Sequence, residues 1–230
     1  MQTHRMRNMG IALAMGALVA CGDAGPGDVE SVDIEMQQTD QMLAQATAGW
    51  FASVAGTEGQ VEVVDPAAVA SLMVRITAIE FLPAVQEGNE DDPGAWVSVE
   101  LGSAVEVDLM ALPTAGESPL VIASGAAPVN DYVNVRLFVD QSTIRFATPI
   151  TLGFAFSFEA DTDYTVDIPS GAETGIKTGA SFSVTADAEG NVNDVPLLFS
   201  PSATFLNVTG TGTGTVILAP VIRGQPEPQS

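Results

Sequence analysis

The only lysine of this 230-residue chain, Lys177, follows Ser170 by seven places, with Gly171, Thr174 and Gly175 between them. A turn that brought Ser170 and Lys177 together would make a dyad in which the amine takes the hydroxyl proton. The same loop, with two glycines free to adopt positive φ and hydroxyls able to bond nearby amides, can also cradle an anion or carboxylate. Its plainer reading is an inter-strand loop whose lysine pairs with one of the chain's many acids. A second constellation is Glu87, Asn89, Glu90, Asp91 and Asp92, hard oxygen donors of the kind calcium takes, or else a solvated acidic loop. Asp187, Glu189, Asn191, Asn193 and Asp194 form another oxygen-rich run, and Asp161 with Asp163 a weaker pair. The former lacks the residue order and distal glutamate of an EF-hand loop and reads as a hairpin turn.

The amino terminus restricts the chemistry further. His4, Arg5 and Arg7 precede an apolar stretch, 9–19, that is too short for a permanent membrane span. It ends in Leu18-Val19-Ala20-Cys21, which resembles the bacterial lipobox. That resemblance implies a signal peptide over 1–20, a diacylglycerol on the Cys21 sulfur and an acylated new amino terminus. The alternative is a plain secretory signal with an accidental cysteine. Multiple acyl chains hold a protein stably on a membrane. Gly22, rather than Asp, directly follows the cysteine, which favours the outer membrane where one exists.

Such processing discards the one histidine and consumes the one thiol. Ser-His-Asp and Cys-His catalysis, histidine zinc sites and structural disulfides then fall away. Carboxylate pairs, a Ser-Lys dyad or a carboxylate-held metal remain. With 29 acids, a carboxylate pair carries no information by itself. Of the basic residues, Arg75, Arg136, Arg145, Lys177 and Arg223 survive processing, five against 29 acids, for a net charge of −24. Nucleic acid is not an expected partner for such a chain, and neither is an anionic lipid surface. Sugar binding would use wide aromatic faces. Trp50, Trp96, Tyr132 and Tyr164 are the candidates, with a half-buried strand position the plainer reading of Trp96.

Short runs of alternating apolar residues, punctuated by turn residues, must position these groups. Residues 61–63, 72–81, 96–101, 105–109, 119–123, 133–139, 144–146, 152–158, 162–168, 182–186, 192–199, 203–208 and 213–222 read as strands. The runs 96–101 and 105–109 read as one hairpin and 182–186 with 192–199 as another, while 119–123 reads as an edge strand. Val133, Val135, Leu137 and Val139 show the cleanest period of two, and Arg75 and Arg136 fall at mid-strand where each would meet an acid. The expectation is an all-β, two-sheet sandwich over 57–223, with a small barrel as its competitor. Residues 21–56 read as the acylated cysteine and a flexible linker, with 40–48 as one short helix or 50–54 as the start of a strand. Residues 224–230 read as a disordered tail.

Three stretches carry a resemblance to a bacterial lipoprotein family, domain of unknown function 4382. They are 64–68 leading into 74–81, then 96–99 followed by 107–112, and finally 168–177 with Leu218-Ala219-Pro220-Val221-Ile222-Arg223 near the end. The likeness spans about 57–223. It implies a prealbumin-like or Ig-like sandwich on an envelope lipoprotein and brings no activity with it. The chain departs from the family around Val129-Asn130-Asp131-Tyr132, in 115–133 and in 144–160. The functional expectation is a non-enzymatic, lipid-anchored binding, adhesion or structural module without a cofactor, or one steadied by calcium. Its partners would be the membrane, through the anchor, and a glycan or envelope protein. The alternative from a different class is a carboxylate-dependent hydrolase of an envelope or extracellular polysaccharide.

Overall fold

The computed structural model describes residues 28–39, 62–152, 156–169, 171–186, 191–206 and 208–225. The signal peptide, Cys21, the 40–48 helix, Trp50, Ser170, the 187–190 tip and the 226–230 tail lie outside the described residues. The strands run in order β1 (Val29–Gln38), β2 (Val69–Pro83), β3 (Val97–Val99), β4 (Val105–Asp108), β5 (Leu120–Pro128), β6 (Asn130–Phe146), β7 (Ile150–Leu152) and β8 (Phe156–Phe158). They continue as β9 (Asp163–Asp167), β10 (Ile176–Lys177), β11 (Phe182–Val184), β12 (Asn193–Phe199), β13 (Thr209–Gly210), β14 (Val216–Ile217) and β15 (Ile222–Gly224).

Two long antiparallel strands, β2 and β6, form the spine of the larger sheet. Leu72, Val74 and Ile76 point inward on β2, and after Thr77 the inward set becomes Ile79 and Phe81. On β6 the inward set changes in the same region, from Val135, Leu137 and Val139 to Ile144 and Phe146. The ladder explains both breaks. Arg75 pairs with Gln141, Ile76 with Val139 and Ala78 with Phe138, so Thr77 and Asp140 are each an extra residue in opposing bulges. Because a one-residue slip exchanges the faces, the two insertions together keep both strands apolar-in along their full length. The 133–139 and 144–146 runs, read separately from sequence, are thus one strand.

The remaining chain follows this spine. β3 and β4 run consecutively along the free edge of β2, pairing with 79–81 and 73–76 respectively. They are successive segments of one interrupted edge, and the expected 96–101/105–109 hairpin does not form. β9, β10 and β11 run in turn along the other edge of β6, and β14 and β13 extend the sheet beyond β9. The smaller sheet has the order β15-β12-β1-β5, with β1 parallel to β12 and antiparallel to β5. β7 and β8 form a separate hairpin.

Three further expectations are corrected here. The first is the linker: Val29–Gln38 lies within the segment assigned to it yet is a central strand of the smaller sheet. Val32, Ile34 and Met36 alternate inward and are fully buried, which gives the segment a core face that a tether lacks. The second is the 182–186/192–199 hairpin, because β11 joins β6 while β12 joins β1 in the opposite sheet. The third is the strand at 203–208, where Ser200 caps a single helical turn, Pro201–Thr204, by accepting from the Ala203 amide. At the other end Gly224 is part of β15 rather than of the tail. The edge position of β5 agrees with the sequence reading.

The inner faces of both sheets merge into one apolar core, in accord with a two-sheet sandwich. Two glycines let the sheet margins touch. A methyl at Gly125 would collide with Val99, and one at Gly224 would lie on the Ala180 backbone. Where the chain crosses between sheets from β5 to β6, the Tyr132 hydroxyl donates to the Pro128 carbonyl at 2.8 Å. The Tyr132 ring stacks on Phe182 and meets the edge of Phe81, an arrangement resembling the tyrosine corner of immunoglobulin-type sandwiches. Burial pushes its phenol up to about 12.

Candidate functional site on the outer face of the large sheet

On β6 the residues that alternate with the buried ones point away from the core, so Arg136 and Arg145 emerge on the outer face of the large sheet. Arg75 on β2 and Lys177 on β10 share that face by register. Each of these cations meets an acid. Arg75 reaches the bulge residue Asp140 at 2.8 Å, and Arg145 makes two parallel bonds to Asp163 at 2.8 and 2.7 Å. That fork holds the Asp163 carboxyl below the usual range and raises the Arg145 guanidinium.

The richest part of the face is a row across four strands. Lys177 of β10 stands opposite Arg136 of β6, Arg136 opposite Glu80 of β2, and Glu80 opposite Ser98 of β3. Arg136 pairs with Glu80 through both Nε and Nη2, and the Ser98 hydroxyl donates to the other Glu80 oxygen at 3.2 Å. The guanidinium also lies 4.2 Å from the Trp96 ring centroid and 5.1 Å from that of Phe138. A desolvated cation–π contact adds about 2 kcal/mol to what the carboxylate supplies. Trp96 packs with Leu82, Ala95 and Val133 in a small apolar cluster outside the main core, and its indole N–H donates to the Glu90 carbonyl.

That last bond ties the acidic loop to the row. The loop is built from tight turns: Asn89 Nδ2 donates to Gln86, the Glu90 carboxylate accepts from the Gly88 amide, and Asp92 caps the turn by accepting from the Gly94 amide. Asp91 reaches out at its tip to Lys177 at 3.4 Å. The two constellations singled out in sequence, Glu87, Asn89, Glu90, Asp91 and Asp92 on one side and the glycine-rich loop on the other, therefore meet over Arg136. They meet through the Lys177–Asp91 ion pair. Among the described residues no three of His, Cys, Asp and Glu converge as metal ligands.

The glycine-rich loop is built to lie along β6. The Gly171 carbonyl accepts from the Val139 amide, and the Gly171 amide donates to the Ile168 carbonyl. Gly175, at φ +72°, passes so close to Arg136 Cβ and the Leu137 carbonyl that a side chain there would be crowded as well as strained. Lys177 is engaged with Asp91, as the plainer reading expects. Asp161 adds its charge to the field that Asp163 sets at Arg145 but makes no bond to it. It turns the chain at φ +55°, and its amide donates to the Phe146 carbonyl. Among the aromatic candidates, Trp96 and Tyr132 are buried and Tyr164 is part of the Phe146–Phe158 cluster.

A second cluster escaped the sequence reading. On the outer face of the smaller sheet Asp33 of β1 stands directly beside Asp194 of β12, with Glu35 two residues further along β1. Burial, then Asp194 and Asp33, push the Glu35 carboxyl up. The signal was present in the alternation Val32-Asp33-Ile34-Glu35-Met36, whose strand pattern sits in a segment otherwise poor in structure cues.

A family model described as Domain of unknown function (DUF4382) matches residues 56–220. No curated protein and no solved structure matches the chain.

Proposed function

This chain belongs to the DUF4382 family, and from that premise we propose that it is a lipid-anchored module of the bacterial cell envelope that binds rather than catalyses. Acylated Cys21 would hold it on the membrane, the outer one where two exist, and the sandwich would carry recognition surfaces on a rigid frame. The observation that carries this reading is the row Lys177–Arg136–Glu80–Ser98. These polar side chains are engaged with one another, in register across four strands, which supports reading them as parts of a scaffold. The competing polysaccharide hydrolase would use two carboxylates facing each other across a cleft. The acids that come together here, Asp33, Glu35 and Asp194, lie side by side on one sheet face.

Labelling with an acyl-chain probe in a bacterial host should mark the wild-type protein and leave Cys21→Ala unmarked. A glycan and cell-wall binding screen on the full chain should find retention without turnover. Turnover that disappears on changing a single acid would overturn the non-enzymatic assignment. Melting with and without calcium tests the metal separately, and a calcium-dependent rise in Tm would show that it binds.

A further inference from the structure

We propose that the free edge of β5 accepts an extended, lysine- or arginine-bearing segment of another envelope protein as an added strand. The inference rests on the binding-module reading and names the surface that module uses.

Among the described residues β5 is paired as a strand with β1 alone, and its other edge has no ladder partner among them. Edges of this kind are ordinarily guarded by charged side chains, interior prolines or a covering element. β5 has only one of these, a partial cover where Val99 and the Glu100 carbonyl of the β3 margin press on Gly125. From Ser118 to Val129 the sequence contains no charged residue, although the chain as a whole carries a net charge of −22. Pro119 and Pro128 bracket the stretch and leave 120–127 free of proline. Its single bulge lies near Ile122, and pairing with β1 is regular from 123 to 128. Leu120 and Val121 are 46 % and 44 % exposed, among the few large apolar side chains left in solvent. Eight residues of strand span about 27 Å, enough for a full set of ladder bonds to a docked peptide.

The neighbouring face selects the partner's charge. Ser124 stands beside Asp33, and Asp33 beside Asp194, while Val121 stands beside Glu35. A strand added to β5 would lie two strand spacings, about 10 Å, from β1. Ser124 and Val121 are short, so a long basic side chain on the added strand can lie across them and bring its charge to the carboxylates. A second copy of this chain is a poor occupant, because edge-to-edge pairing would bring two such acidic faces together. A basic extended segment fits both the unladdered edge and the acidic face.

The test uses the full chain and three nine-residue peptides: lysine alternating with threonine, glutamate in place of the lysines, and the lysine peptide with its central threonines changed to proline. Fluorescence anisotropy should show binding of the first alone. Amide exchange should slow within 120–127 when it binds, and Asp33→Asn with Glu35→Gln should weaken it at least tenfold. Equal binding by the proline peptide would overturn strand addition in favour of charge attraction, as would protection confined elsewhere. Dimers in sedimentation that protect β5 without peptide would overturn it in favour of a second copy. If no peptide binds while the chain still retains envelope material, strand addition fails and the module reading stands.

Discussion

Lys177 and Asp91, 86 residues apart, close a latch at 3.4 Å over the buried Arg136 guanidinium. The Asp91 side chain is fully exposed and Lys177 is 36 % exposed, so water and salt screen the pair. Lys177→Ala should leave the thermal midpoint unmoved within measurement, at low and high salt alike. A large loss would mean that Lys177 does more than hold the loop.

The pair beneath it is a different matter. Arg136 is nearly inaccessible, and Glu80 is its carboxylate partner. Removing one member of a buried ion pair costs about 3–5 kcal/mol, because the other charge is left without a partner. Glu80→Gln should therefore lower the denaturant midpoint sharply. Combining it with Arg136→Met should recover much of the loss, since the thioether can still pack on Trp96. A double-mutant cycle with no coupling would show that the row does not act as a unit.

Gly224 tests how the two sheets close. A methyl there would lie on the Ala180 backbone, which cannot move without parting β15 from the end of β10. Gly224→Ala should cost about 1–3 kcal/mol, the usual range for overpacking a filled core. Gly125→Ala should cost less, because its principal obstacle is the Val99 side chain rather than main chain. Chemical unfolding of the two variants, measured together, decides the order.

These contrasts show where the sequence was legible. Alternation located β2, β6, β9 and β12, because strands with one buried face must repeat every second residue. It could not show which strands pair. The two false hairpins joined neighbours in sequence that in fact line one edge or cross between sheets. The bulges at Thr77 and Asp140 were hidden because each breaks the period by a single residue: the first was absorbed into the 72–81 run, and the second read as a boundary between 133–139 and 144–146. β1 was lost because its flanks resemble a tether, although Val32, Ile34 and Met36 carry a full core face. The candidate loops stood out in sequence as places where charge and glycine concentrate. Their meeting over Arg136 depends on a distant β2–β6 register that spacing along the chain does not encode.

The acid cluster on the smaller sheet predicts a pH dependence. Folding raises the Glu35 carboxyl above its ordinary value, so the native state holds that proton more firmly than the unfolded chain does. Stability from this group is therefore greatest below the ordinary carboxylate range and is lost as pH rises through the raised value. Like charges placed side by side on a sheet cost roughly 0.2–1 kcal/mol. Glu35→Gln should raise Tm at pH 7 by about 1–3 °C, with the gain vanishing in acid. An equal gain at every pH would point to packing instead of charge.

Tyr132 makes the opposite end of the pH scale informative. Its hydroxyl holds the Pro128 carbonyl at the crossing from β5 to β6, and burial moves its ionisation to about 12. The unfolded phenol ionises near 10. The neutral form is therefore favoured by folding, and its stabilisation is full below about pH 10 and lost as pH rises towards 12. Tyr132→Phe should cost about 1–2 kcal/mol at pH 7, because the carbonyl loses its donor at a partly buried site. The same variant should also lack the alkaline part of the wild-type loss between pH 10 and 12. Parallel urea titrations at pH 7, 9 and 11 separate the two effects. A constant difference between wild type and variant across that range would show that the hydrogen bond matters and the ionisation does not.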